Sequence, residues 1–185
     1  MEKTIDVQAF HSLTYGLFVI ASKLPDGRKV GCIANTFQQV ASEPPQASVA
    51  LNKDNITTKA IIDAGRFTAS VLSEEATMEL IGVFGFHNSL EREKFAAMDH
   101  DVDASHLPFL KQQCMATFSV RVEQAVDVGT HLLLIGPIEE AHVLCDATPL
   151  TYAYYHTVLR GKRVNSQKVC PEWPTIPRSR WENHG

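Results

Sequence analysis

The chain has 185 residues, a net charge of −4, 44% hydrophobic and 21% charged residues. That is the balance of a globular domain, which excludes disordered and collagen-like chains. The longest wholly apolar runs, such as residues 132–135, fall far short of the roughly 20 residues a membrane helix needs. The N-terminus lacks a basic region followed by an apolar one, so no export signal is expected. No run of Lys or Arg suggests a nucleic-acid stripe. The expectation is a cytoplasmic protein with neither a membrane nor a nucleic-acid partner.

Residues 10–15 read as a short helical entry. Residues 17–24 (LFVIASKL) are bulky and branched, as strands require. Pro25-Asp26-Gly27 supplies reversal, and 30–37 (VGCIANTF) is the hairpin partner. Residues 38–42 continue extended until Pro44-Pro45 stops them, and 47–51 is another strand. Residues 55–65 read as a short helix capped by Thr57 or Asn55, with Ala60, Ile61 and Ala64 on one face and Gly65 at the left-handed end. Residues 67–72 return as a strand. Ser73 is expected to cap a second, well-buried helix, with Glu74 and Glu75 in its first turn.

Residues 86–108 look polar and irregular, with one turn of helix at 90–97. In 116–123, Ala116, Phe118, Val120 and Val122 alternate with polar neighbours, the clearest strand of the chain. Residues 131–136 and 140–145 suggest a hairpin around Gly136-Pro137, and 150–159 is helical or irregular. Six or seven short strands without regular strand–helix alternation predict a mainly β, α+β protein. An antiparallel barrel with helical annexes fits better than a parallel sheet.

Neither a Rossmann fingerprint nor a phosphate-binding loop is present. Cys32, Cys114, Cys145 and Cys170 include no Cys-x-x-Cys pair, so no zinc ribbon or rubredoxin iron site is encoded. All four are expected as reduced thiols, Cys114 and Cys145 as small hydrophobes. Asp99-His100-Asp101-x-Asp103-x-x-His106 has metal-ligand chemistry but no ligand spacing, and no metal is expected. The segment from Asn52 to Thr58 is richer. Asn52, Lys53, Asn55 and Thr57 surround a helix start, where N–H groups, hydroxyls and an ammonium suit a terminal phosphate. Plain helix capping explains the same residues. Asn35, Thr36 and Gln39 either read the edge of a flat ring or form an ordinary polar strand corner. Arg92 and Lys94 either meet a phosphate or are solvated helix charges.

TYGLFVIAS, GCIANTFQQVASEPP, LNKDNITTKAI, GRFTASVL, FGFHNSLEREKF and LTYAYYHTVLRGK follow one another in the order of the flavin reductase-like family. The resemblance spans about residues 8–163 and is nearest to flavoredoxins and the flavin domain of high-molecular-weight rubredoxins. It implies a domain over 1–163, a tail over 164–185, and a six-stranded antiparallel FMN-binding split barrel. It also implies a homodimer with FMN at the subunit interface. Asn35, Thr36 and Gln39 match the segment along the flavin ring and ribityl chain. Asn52, Lys53, Asn55 and Thr57 match the segment leading to the phosphate. Lys94 matches the lysine before phenylalanine, and Tyr155 matches a late aromatic near the site. Where the family tends to carry Arg-Ser-Gly this chain has His87-Asn88-Ser89, which either removes the second phosphate contact or shifts it to His87 and Lys94.

The expected function is an FMN oxidoreductase that takes electrons from NAD(P)H. Its acceptor would be free flavin, a monooxygenase partner or a separate redox protein, since no rubredoxin domain follows. No side-chain acid or base is assigned. The alternative is a non-enzymatic FMN-binding or electron-carrier module.

Overall fold

The computed structural model describes residues 5–86, 89 and 93–160. After a 3-10 turn at Val7–Ser12 come β1 (Phe18–Lys23), β2 (Lys29–Ala34), β3 (Gln38–Ser42), β4 (Pro45–Asn52), α1 (Ile56–Ala64), β5 (Arg66–Leu72) and α2 (Met78–Phe86). Then follow β6 (His100–Val102), β7 (Pro108–Leu110), β8 (Cys114–Arg121), β9 (Gln124–Asp127), β10 (His131–Val143), α3 (Tyr152–Tyr154) and a π turn at Tyr155–Leu159. The tail expected from residue 164 lies outside the described residues.

Every strand pair is antiparallel, in the order β2-β1-β5-β8-β10-β4-β3, with β9 beside β10 and β6–β7 as a separate hairpin. The six strands from β2 to β4 form the split barrel, whose two ends approach each other. β3 and β9 are additions to it.

Both faces of β1 are covered, which is why it reads as an unbroken apolar run. Ile20 enters the barrel interior with Cys32, Val49, Phe67, Val120 and Leu134. Val19 and Ala21 pack outward beneath α2 and α3, with Leu72, Leu80, Phe84, Phe95 and Tyr155. Gly31 lets α2 come close: a Cβ there would meet the Phe84 ring at 3.1 Å.

The structure corrects several expectations. The hairpin expected at Gly136-Pro137 is one continuous strand. β10 pairs with β4 through Pro137 and with β8 from Ile138. The bend works because Gly136 has no side chain where the Arg121 carbonyl presses against it. Ser73 does not cap α2. It bridges to Pro149, and Thr77 accepts from Leu80 N–H at 3.3 Å at the true helix start. Residues 86–108 are not wholly irregular, since β6 lies there and pairs with β7. β3 stops at Ser42 before Pro44-Pro45, as expected, but Pro45 also opens β4, which therefore starts two residues earlier than Ala47. In β8 both faces are packed, so Thr117 and Ser119 are buried as well as Val120. Cys145 is exposed, not a core residue.

Candidate functional site

The chain between β4 and α1 is held by its own polar side chains. Asn52 Oδ1 accepts from Asp54 N–H at 2.8 Å, and Thr58 Oγ1 donates to the Asn52 carbonyl at 2.7 Å. Asn55 is the N-cap, accepting from Thr57 N–H at 2.9 Å, and Gly65 closes the helix in the left-handed region at φ 65°. Capping therefore accounts for Asn52, Thr58 and the Asn55 oxygen. It leaves one group unexplained. Thr57 is fully buried, and its Oγ1, which faces the Cys32 sulfur, has no oxygen or nitrogen partner among the described residues. A buried hydroxyl in that state costs roughly 1–3 kcal/mol.

Beside it lies Cys32, on β2. Burial pushes the Cys32 thiol up to about 11, against the pull of Thr57, the Lys94 ammonium and Asn55. Cys32 is thus the shared neighbour of both phosphate candidates, although Lys94 comes from the segment after α2. Lys94 is only 3% exposed. Its Nζ donates to the Gly31 carbonyl at 2.9 Å and the Phe84 carbonyl at 3.3 Å, and sits 5.9 Å from the Phe84 ring centre. Among the described residues it has no carboxylate partner. Burial lowers it to about 8, while Cys32 draws it back up. An ammonium has three donors, and two carbonyls occupy two. The solvated-helix reading of Lys94 is thereby corrected.

The ring-edge candidates are placed differently. Thr36 Oγ1 donates to the Ala50 carbonyl at 2.8 Å and accepts from Ala50 N–H at 3.1 Å, fastening the β2 exit to β4. Gln39 Nε2 donates to the Ala41 carbonyl at 3.0 Å. Gln39 also lines an open groove of about 390 Å³ with Phe37, Pro45, Phe118, Ile138 and Glu139. Phe37 is fixed by Phe18, Phe118 and Phe67, with centroids 5.3, 5.6 and 6.3 Å away. Asn35 is half-buried at the end of β2.

Other expected residues go elsewhere. Lys53 pairs with Asp127 of β9 at 2.5 Å. The Lys53 bond holds the exposed Asp127 carboxyl below the usual range. Tyr155 packs in the outer core with Leu17 and Phe84. His87 and Arg92 lie outside the described residues. His100 takes Lys29 Nζ at 2.7 Å and the Met98 carbonyl at 2.8 Å, while Asp103 ties Ser105 and Leu107 N–H groups. Their side chains are thus spent on separate partners.

Sequence reasoning missed Cys32 and Gly31. The only signal for Gly31 was a glycine inside a strand pattern, which marks a close approach. Nothing local distinguished Cys32.

Residues 10–161 match the family described as flavin reductase like domain. The chain belongs to the flavin reductase-like family. It is 44% identical over 165 residues to a ferric-chelate reductase (NAD(P)H) of Archaeoglobus fulgidus, covering 89% of this chain and 97% of that protein. It is 42% identical over 176 residues to a high molecular weight rubredoxin of Moorella thermoacetica, covering 95% of this chain and 75% of the relative. Among solved structures, the styrene monooxygenase flavin reductase of Pseudomonas putida superposes with a TM-score of 0.68 at 25% identity, covering 78% of this chain and 90% of that one. The protein is a flavin-dependent oxidoreductase of the flavin reductase type.

A flavin reductase-like chain must hold a flavin, and the residues present fit one with a phosphate. Among the described residues, the Thr57 hydroxyl has no oxygen or nitrogen partner and Lys94 uses two of its three donors, which leaves donors that an anion would accept from.

Proposed function

We propose that this flavin reductase uses FMN, takes its electrons from NAD(P)H and works as a homodimer. Thr57 and Lys94 would hold the phosphate, with Asn55, Asn52 and Lys53 at its margin and His87 completing the contact. Asn35, Thr36 and Gln39 would border the ring and ribityl chain, and Tyr155, packed in the outer core, would act only by supporting the site's walls. When bound, the flavin supplies hydride acceptance and onward transfer of electrons singly or in pairs. The protein's part is to bind the phosphate, orient the ring and exclude water, and no side chain is assigned to move a proton.

The observation that carries this reading is the buried Thr57 Oγ1, which has no oxygen or nitrogen partner among the described residues. A buried group left unsatisfied calls for an explanation, and a bound anion would supply one for Thr57. A phosphate, rather than a neutral ribityl end, also matches a buried ammonium with no carboxylate partner among the described residues. The exposed edges β3 and β9, with Val40, Val126 and Val128 on the surface, support a second copy as their cover. The names of the relatives favour an enzyme over a passive carrier, and a cytoplasmic setting suits the free thiols.

Titration of the apo-protein with FMN, FAD and riboflavin tests the cofactor: FMN should bind most tightly, and equal affinity for FMN and riboflavin would remove the phosphate assignment. Anaerobic addition of NADH or NADPH should bleach the yellow protein. A colour that persists with both restores the carrier alternative. Light scattering should give about twice the chain mass.

A further inference from the structure

The ladder between β8 and β10 ends with Val143 opposite Ala116. Beyond it the two chains stay together. Leu144 N–H donates to the Met115 carbonyl at 2.8 Å, and Cys145 N–H reaches the same oxygen at 3.4 Å. The next residue on each side is a cysteine, Cys114 at the start of β8 and Cys145 two residues past the end of β10. Cys145 Sγ lies 3.5 Å from the Cys114 carbonyl oxygen. Residues opposed across antiparallel strands have Cα atoms about 4.5–5.5 Å apart. Disulfides span Cα separations of about 4.4–6.8 Å.

We propose that Cys114 and Cys145 form a reversible disulfide, so that the seam between β8 and the end of β10 is a thiol-modification site. Cys145 is exposed and open to a reagent in solution, whereas Cys114 is buried. The oxidant is a low-molecular-weight disulfide. The Cys145 thiolate attacks one of its sulfurs, and the other half leaves as a thiolate that takes up a proton. Cys114, deprotonated, then attacks the Cys145 sulfur of the mixed disulfide and releases the second half as a thiol. One S–S bond is made in the protein and one is broken in the reagent. The protein loses two electrons and two protons, and the reagent gains them.

The second step is the slow one. Cys114 Sγ donates to the Leu110 carbonyl at 3.0 Å and must give up that bond. Burial, aided by Cys145, pushes the Cys114 thiol up to about 12. The rate of closure should therefore climb with pH. The bond would fasten the chain that leaves β10 ahead of Leu150, where that chain joins β5 and the residue before β1. There Leu150 N–H donates to the Leu72 carbonyl at 2.8 Å and Leu17 N–H to the Leu150 carbonyl at 3.0 Å.

The test is to incubate the full-length purified protein with glutathione disulfide in mildly alkaline buffer, then map its peptides without reduction. The expected result is a loss of two hydrogens in intact mass, with the Cys114 and Cys145 peptides joined and separated again by dithiothreitol. Cys145→Ser, at an exposed position, should form no internal bond. Cys114→Ala should keep a stable glutathione adduct on Cys145. A wild-type protein that retains that adduct indefinitely, stays unmodified, or joins Cys145 to Cys170 overturns the proposal.

Discussion

Lys94 donates to the carbonyl of Gly31, 63 residues before it, across 2.9 Å of protein interior. That bond ties the segment after α2 to β2 and brings a positive charge near Cys32. The charge has no carboxylate beside it among the described residues, so burial lowers Lys94 to about 8 from its ordinary 10.5.

Between those two values the unfolded chain keeps a proton that the folded chain has shed. Stability of the apo-protein should therefore rise with pH across the window from about 8 to 10.5. Relative to Lys94→Met, the full rise is on the order of 3 kcal/mol. Urea unfolding of both proteins through that range measures it, and parallel curves would refute a buried, depressed Lys94. FMN affinity should move the opposite way, weakening as pH climbs through about 8. Lys94→Met should weaken FMN about 10- to 100-fold at neutral pH, the loss of one charge-assisted bond.

Thr57→Val should separate binding from folding. The cap of α1 uses the Thr57 backbone N–H and the Asn55 side chain, not the Thr57 hydroxyl. Removing a buried, unpartnered oxygen should leave apo stability unchanged or higher by about 1 kcal/mol. FMN affinity should nonetheless fall by about tenfold. Asn55→Ala should do the reverse on the stability side, costing about 1 kcal/mol through the lost cap. An FMN affinity in Thr57→Val equal to wild type would show that the hydroxyl faces no ligand.

Gly136→Ala should not be tolerated. Its new methyl would collide with the Arg121 carbonyl, a backbone atom that cannot rotate away. A destabilisation of about 3 kcal/mol or more is expected, at the upper end of overpacking costs. Soluble yield and thermal unfolding report it, and a wild-type melting point would mean that β10 bends elsewhere.

Glu139 lies at the bulge in β10, where it bridges Arg66 and Arg121, two like charges in register on β5 and β8. Partial burial raises its carboxyl, but bonds from Arg121 and Arg66 outweigh that and hold it below its usual range. A lowered folded value contributes stability above the ordinary carboxylate range, lost as pH falls through the folded value. Glu139→Gln should cost less than about 1 kcal/mol at neutral pH, because the groups are about one-third exposed. The gap to wild type should close in acid. A gap that widens in acid would contradict the bridge.

The barrel was legible wherever structure follows from local pattern. β1, β2, β5 and α1 appear where residue type, turn chemistry and caps placed them, because each depends on neighbours a few residues away. Asn55 and Gly65 bracket α1 as their chemistry requires. The family order of motifs extended this to the whole fold and to the flavin. The errors came where a local sign has two tertiary outcomes. Gly136-Pro137 is a turn signal in a free chain, but here it is a bend in a strand that changes partners. Ser73 is a good cap, yet a bridge to Pro149 claims it and α2 starts later.

The site divides along the same line. Sequence alone determined that polar groups cluster at the start of α1, because capping chemistry is short-range. Tertiary structure decided which of them remain available: the turn takes Asn52 and Thr58, Asp127 takes Lys53, and Thr57 Oγ1 is left over. It also decided that Lys94, beside Glu93 in the chain, is a buried charge rather than a surface one. Burial depends on what the rest of the fold packs around a residue. A charge's partners and its proton affinity are therefore settled by groups distant in sequence, which no window of neighbouring residues contains.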